Sequence, residues 1–119
     1  MITGTSFTVF SSDLVQSRRF YETRLGCELS DVDDDGFVAR RDRLVITVEG
    51  GAVRRKLGKR WLGEGGLYIT ILVDDFDAVM EDLRSREAPF LDDVTEGADG
   101  KRVTGIADPD GVLFELREA

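Results

Sequence analysis

The sequence predicts an α+β fold built from two βαβββ modules, on three observations. An alternating apolar strand followed by a capped helix occurs twice; three short strand candidates follow each helix; and turn-forming residues separate those strands at matching places. In the first half, Ser6-Phe7-Thr8-Val9-Phe10 alternates polar and apolar residues, the period of a strand with one face packed and the other wetter. Ser12-Asp13 then offers a helix cap, and Leu14, Tyr21 and Leu25 fall near one helical face that Gly26 terminates in a left-handed conformation. Strands are expected over 28–32, 37–40 and 44–49, with Asp33-Asp34-Asp35-Gly36 and Arg41-Asp42-Arg43 as turns. The acidic turn lacks the spacing of an EF-hand calcium loop.

The rhythm restarts after Gly65-Gly66. Residues 67–73 repeat the opening strand and Asp74-Asp75 the helix cap; Phe76, Val79, Met80 and Leu83 then sit at i, i+3, i+4 and i+7, one apolar stripe of a helix. Strands are expected over 90–95, 101–107 and 113–117, separated by Gly97-Ala98-Asp99-Gly100 and Asp108-Pro109-Asp110-Gly111. A period of about half the chain is too long for a solenoid unit and indicates a duplicated module. The single domain 1–119 thus divides into module one, 1–50, a connection, 51–66, and module two, 67–119.

Composition narrows the function classes. With 119 residues, 41% of them hydrophobic, the chain can enclose one core. A net charge of -8 disfavours a nucleic-acid partner, which needs a cationic surface to displace counterions, and suits a neutral or cationic small molecule. Apolar runs are far shorter than the roughly 20 residues a membrane helix needs, and the N-terminal residues do not form a signal peptide, so no membrane partner and a cytoplasmic location are expected. The one cysteine, Cys27, excludes an intramolecular disulfide and fits a reducing compartment; without a histidine to activate it, it reads as a buried thiol.

Three segments carry a family resemblance. Ser12-Asp13-Leu14, Arg19-Phe20-Tyr21 and Leu25-Gly26 resemble the opening segment of vicinal oxygen chelate proteins, the superfamily of glyoxalases, bleomycin-resistance proteins and dioxygenases. Val73-Asp74-Asp75-Phe76-Asp77-Ala78 resembles that family's second helix entry, and Asp108-Pro109-Asp110-Gly111 with Phe114-Glu115-Leu116 resembles its closing hairpin. Three such segments in order, across nearly the whole chain, are more specific than any one of them. The resemblance implies a cupped mixed sheet with the helices outside, and frequent dimers. It also implies a divalent ion held on strand side chains, yet this chain has no histidine. The ligand position of the first strand falls at or near Ser6 and that of the fifth at Tyr68; Glu115 matches the family's carboxylate ligand, and Glu49 lies near a fourth-strand position used by some members. Two carboxylates do not make a zinc, iron or nickel site, so neither metal nor any other cofactor is expected.

Alternation separates two faces. Phe7, Val9, Leu44, Ile46, Val48, Leu67, Ile69, Ile71, Val73, Phe114 and Leu116 are expected to meet the helices. The complementary residues face the cup, and Ser6, Thr8, Phe10, Thr47, Glu49, Tyr68, Thr70 and Glu115 among them are candidate ligand-binding residues, joined by Trp61 from the connection and by Arg102. Trp61 either stacks on a ligand or packs the connection, and Arg102 or Arg117 is a possible ion-pair partner for one of the acids. Arg54, Arg55, Lys56, Lys59 and Arg60 form a local basic block that reads as a solvated loop, or as a guide for an anion or a second subunit.

Hydroxyls, aromatic rings and two acids suit a ligand with flat apolar parts and a few hydrogen-bonding groups. The expected function is metal-independent small-molecule binding of the bleomycin-resistance type, sequestering or carrying an aromatic or cationic metabolite or antibiotic, in a homodimer. The alternative is a metal-free isomerase, cyclase or lyase in which Glu49 or Glu115 is the general acid/base, its pKa raised by the apolar cup.

Overall fold

The computed structural model describes residues 1, 3, 4, 6–51 and 68–119. Trp61, Leu67, the basic block and the connection beyond Gly51 lie outside the described residues. Module one runs β1 (Phe7–Ser11), α1 (Leu14–Arg19) extended by a π-helical turn (Phe20–Arg24), β2 (Glu28–Ser30), β3 (Gly36–Arg41) and β4 (Leu44–Gly50). Module two runs β5 (Tyr68–Val73), α2 (Phe76–Ser85), β6 (Thr95–Glu96), β7 (Arg102–Ala107) and β8 (Leu113–Glu118). Each module forms its own four-stranded mixed sheet, ordered β1-β4-β3-β2 and β5-β8-β7-β6, with the β1–β4 and β5–β8 pairs parallel and the others antiparallel. The two sheets do not join into one closed cup.

Helices α1 and α2 each start where a carboxylate accepts orphan backbone N–H groups. Asp13 accepts from Val15 and Gln16, and Asp75 accepts from Ala78. The first helix then widens: the Leu25 N–H reaches back five residues to the Phe20 carbonyl at 2.9 Å, and the wider turn sends both Phe20 and Tyr21 into the core. Gly26 stops it at φ +78, a conformation that favours glycine, and a Cβ there would press on Arg41 and Arg86 at 3.0 Å.

One core serves both modules. Val9, Phe37, Ile46 and Val48 from the first sheet, Ile69, Ile106, Phe114 and Leu116 from the second, and Phe20, Tyr21, Phe76, Met80 and Leu83 from the helices are all buried in it. Among the described residues the expected face assignment holds with one exception: Phe7, at the first residue of β1, stays 39% exposed. Tyr21 lies at the centre, its ring edge-on to Phe37 at 5.9 Å and to Phe114 at 6.2 Å, so a module-one helix touches both sheets. Across the same seam Arg41 pairs with Asp82 at 2.9 Å and Arg24 with Glu87 at 3.1 Å.

One expected strand is mostly absent. Over 90–95 the chain makes a single bridge, Phe90 to Ile106, and regular pairing resumes only at Thr95. Pro89 has no N–H to donate, and Asp92 and Asp93 favour bends over ladders. The segment is held by the Leu91 N–H on the Gly105 carbonyl at 2.9 Å, and by the Thr104 hydroxyl on the Asp92 carbonyl at 3.2 Å.

Candidate ligand site on the open sheet faces

Because the shared core takes one face of each sheet, the opposite faces are left open among the described residues. On the first sheet the register sets Thr8 beside Thr47 and Phe10 beside Glu49; on the second it sets Tyr68 beside Leu113 and Thr70 beside Glu115. Ser6 is exposed just before β1. These residues share parity, so each sheet brings its own group of candidate side chains onto one surface.

Two hollows mark those surfaces. The first-sheet hollow, about 210 Å³, holds Thr47 and Glu49 under the turn bearing Asp31, Asp33 and Asp35. The second-sheet hollow, about 350 Å³, is walled by Tyr68, Leu91 and Leu113, floored by Gly105, and carries Glu115 and Asp92. Glu49 and Glu115 therefore stand in separate hollows and do not meet as a pair within the chain.

Glu115 is held by its neighbours. The Arg117 Nε donates to Glu115 Oε1 at 3.2 Å and the Thr70 hydroxyl donates to the same oxygen at 3.4 Å. Arg117 also reaches Asp99 at 3.0 Å, and these carboxylates, Glu115 foremost, raise the pKa of its guanidinium. One cation is thus shared between two acids.

Arg102 is not brought to this surface. It lies on the helix side of β7, stacked over the Phe76 ring at 4.7 Å and paired with Asp77 at 2.7 Å and Glu118 at 2.9 Å. The sequence reading also missed Leu91, Asp92 and Gly105. Alternation along 101–107 places Gly105 opposite the buried Thr104 and Ile106 and so on the open face, whereas Leu91 and Asp92 reach it only because the strand expected there breaks.

A larger hollow, about 590 Å³, opens between the turn at 41–44 and α2. Leu25, Leu83 and Leu116 at its base belong to the shared core, and its rim mixes Arg41 and Arg43 with Asp42 and Asp74, so its charge selects no ligand class.

A divalent ion of the kind used in some vicinal oxygen chelate proteins does not fit these residues. The internal repeat makes the point: aligning the caps Asp13 and Asp75 pairs Thr8 with Thr70, and the strand registers then make Thr47, not Glu49, the counterpart of Glu115. Hydroxyls thus stand at Ser6, Thr47 and Tyr68, Glu115 is the one carboxylate among these positions, and Arg117 competes for its oxygen. Among the described residues no three His, Cys, Asp or Glu side chains cluster as a metal site.

Paired βαβββ modules, each with a covered and an open sheet face, define a two-module α+β class of protein. The chain belongs to the glyoxalase/bleomycin resistance protein/dioxygenase superfamily, whose family model matches residues 5–116. A comparison with curated proteins finds no match. Among solved structures, a glyoxalase/bleomycin resistance protein/dioxygenase from Alicyclobacillus acidocaldarius is 22% identical with a TM-score of 0.75, covering 96% of this chain and 89% of that one. A glyoxalase-related enzyme from Fulvimarina pelagi is 18% identical with a TM-score of 0.76, covering 99% and 89%. A glyoxalase/bleomycin resistance protein/dioxygenase from Nocardioides is 20% identical with a TM-score of 0.72, covering 99% and 85%. At these identities the likeness establishes the fold. No helix among the described residues is long and apolar enough to cross a membrane.

Proposed function

We propose that the protein binds a small organic molecule without a metal, in the bleomycin-resistance manner, and sequesters or carries an aromatic or cationic metabolite or antibiotic in the cytoplasm. The observation that carries this reading is the make-up of the second-sheet hollow: aromatic and aliphatic walls, two carboxylates, and no donor set for a transition metal. Antibiotic resistance or secondary metabolism is the setting such a binder would serve.

The partner is a second copy of this chain. Tyr68 at 55% exposure and Leu72 at 67% leave apolar area on the second sheet, and the first sheet leaves Val45 at 37%. Facing one copy's first sheet with the other's second would cover both surfaces and bring Glu49 and Glu115 to one cavity, which is also what a metal-free isomerase, cyclase or lyase would need. Sedimentation over a dilution series tests this: a monomer at micromolar concentration rejects the shared cup.

The function is tested by a thermal-shift screen of metabolites and antibiotics on chelator-treated protein, with each hit re-isolated and analysed by mass spectrometry. A binder stabilises the hit's complex and returns the compound unchanged. A compound returned chemically altered favours the enzyme reading, and stabilisation that requires added metal rejects the proposal.

A further inference from the structure

Gly105 is a glycine at a place where a Cβ would fit without a close contact. It lies inside β7, opposite Glu115, where glycine weakens a strand by adding conformational entropy and removing a packing side chain. Its backbone is not left-handed: among the described residues the positive-φ glycines are Gly26, Gly100 and Gly111. There is also room for a Cβ, which at Gly105 would meet Leu91, Leu113 and the Phe114 carbonyl at 3.6 Å, ordinary van der Waals contact. Neither conformation nor internal packing explains the residue. What that Cβ would do is project between Leu91 and Leu113, both of which line the second-sheet hollow.

The charge around this floor has one sign. Glu115 and Asp92 line the hollow, and no Lys or Arg among the described residues does. The neighbouring Arg117 is divided between Glu115, which it meets at one oxygen, and Asp99, so its single positive charge offsets only one of the two and Asp92 keeps the hollow net negative. Resting on the small-molecule reading above, we propose that Gly105 is the seat of a flat aromatic cation. The ligand's ring lies against the glycine backbone beside Leu91 and Leu113, Tyr68 bounds one side, and the positive group is held by Glu115 and Asp92. Strand stability is given up at Gly105 to keep this floor flat.

The test separates a ligand seat from a structural glycine, because the two move stability in opposite directions. Proflavine, a planar cation, is titrated by fluorescence against the full chain, with naphthalene-2-carboxylate as a planar anion and tetraethylammonium as a non-planar cation. Proflavine is expected to bind saturably and more tightly than either comparator. Gly105→Val should weaken it by about tenfold or more while Tm stays level or rises; Gly105→Ala should weaken it less, again without loss of Tm. Glu115→Gln should weaken it by about tenfold. Equal proflavine affinity in Gly105→Val, a lower Tm in Gly105→Ala, or preference for the anion would each overturn the proposal. So would a library hit of other chemistry together with no proflavine binding, an outcome that leaves the small-molecule reading standing.

Discussion

The Tyr21 hydroxyl donates a 2.9 Å hydrogen bond to Asp108 Oδ2 across 87 residues of sequence, joining the first module's helix to the hairpin that closes the second. Both partners are buried, and the other Asp108 oxygen accepts from the Asp110 and Val112 N–H groups at 2.9 and 2.8 Å. Burial and the adjacent carboxylate push the Tyr21 phenol far above its ordinary pKa, so it remains a donor at any working pH. The bond ties the two modules together at the point where Tyr21 also touches both sheets.

Removing that hydroxyl leaves Asp108 short of one donor while the ring's packing stays. Tyr21→Phe is expected to lose about 1–2 kcal/mol of unfolding free energy, read from urea denaturation midpoints at constant m-value. Proflavine affinity should not change, because the open faces lie on the far side of both sheets.

Asp108 gives stability an uncommon pH dependence. Burial is the largest influence on it and raises its pKa against the lowering effect of its three hydrogen bonds. A raised folded pKa means the native state holds the proton more tightly than the unfolded chain. The contribution is fully present below the unfolded value of about 3.9 and is lost as pH rises through the folded value. Asp108→Asn should remove that part of the slope in urea titrations between acidic and neutral pH, and an unchanged slope would refute the assignment.

Arg102 works in the opposite sense. Its hydrogen bonds hold Asp77 and Glu118 below their usual carboxylate range, so their stabilisation is present above the unfolded pKa values and lost as pH falls through the folded ones. Arg102→Ala should lower Tm at neutral pH and flatten the acid limb of the stability curve. It should leave ligand affinity intact, since the guanidinium sits on the helix side of β7; a binding defect without loss of Tm would restore it to the ligand site.

Cys27 is 4% exposed, and burial pushes its thiol up to about 11 despite the opposing influence of Arg41 and Arg86. Ellman's reagent at pH 8 should therefore react slowly with native protein and at once in denaturant. Rapid native labelling would show that the helix-end region opens readily.

Much of the fold was legible because its signals are local. Alternation in β1, β4, β5 and β8 assigned nearly every buried face, and the carboxylates at Asp13 and Asp75 announced α1 and α2 through chemistry confined to one turn. Where local signals conflicted, the reading failed: 90–95 contains apolar residues at strand spacing, but Pro89, Asp92 and Asp93 break the ladder. The same failure concealed Leu91 and Asp92 as walls of the second-sheet hollow. Gly105 was on the correct parity but carried no side chain to attract notice.

By itself the sequence determined the repeated βαβββ order, most of the face membership in β1, β4, β5 and β8, and the lack of a histidine-based metal site, since these depend on residue type and on neighbours a few positions away. Only the tertiary structure decided that the two sheets remain separate, that Tyr21 and Asp108 join them, that Arg102 points to the helices, and that Glu49 and Glu115 stand in different hollows. Those facts arise from strand register and from packing between residues distant in the chain, and no periodicity within a short window encodes which of two modules a side chain will meet.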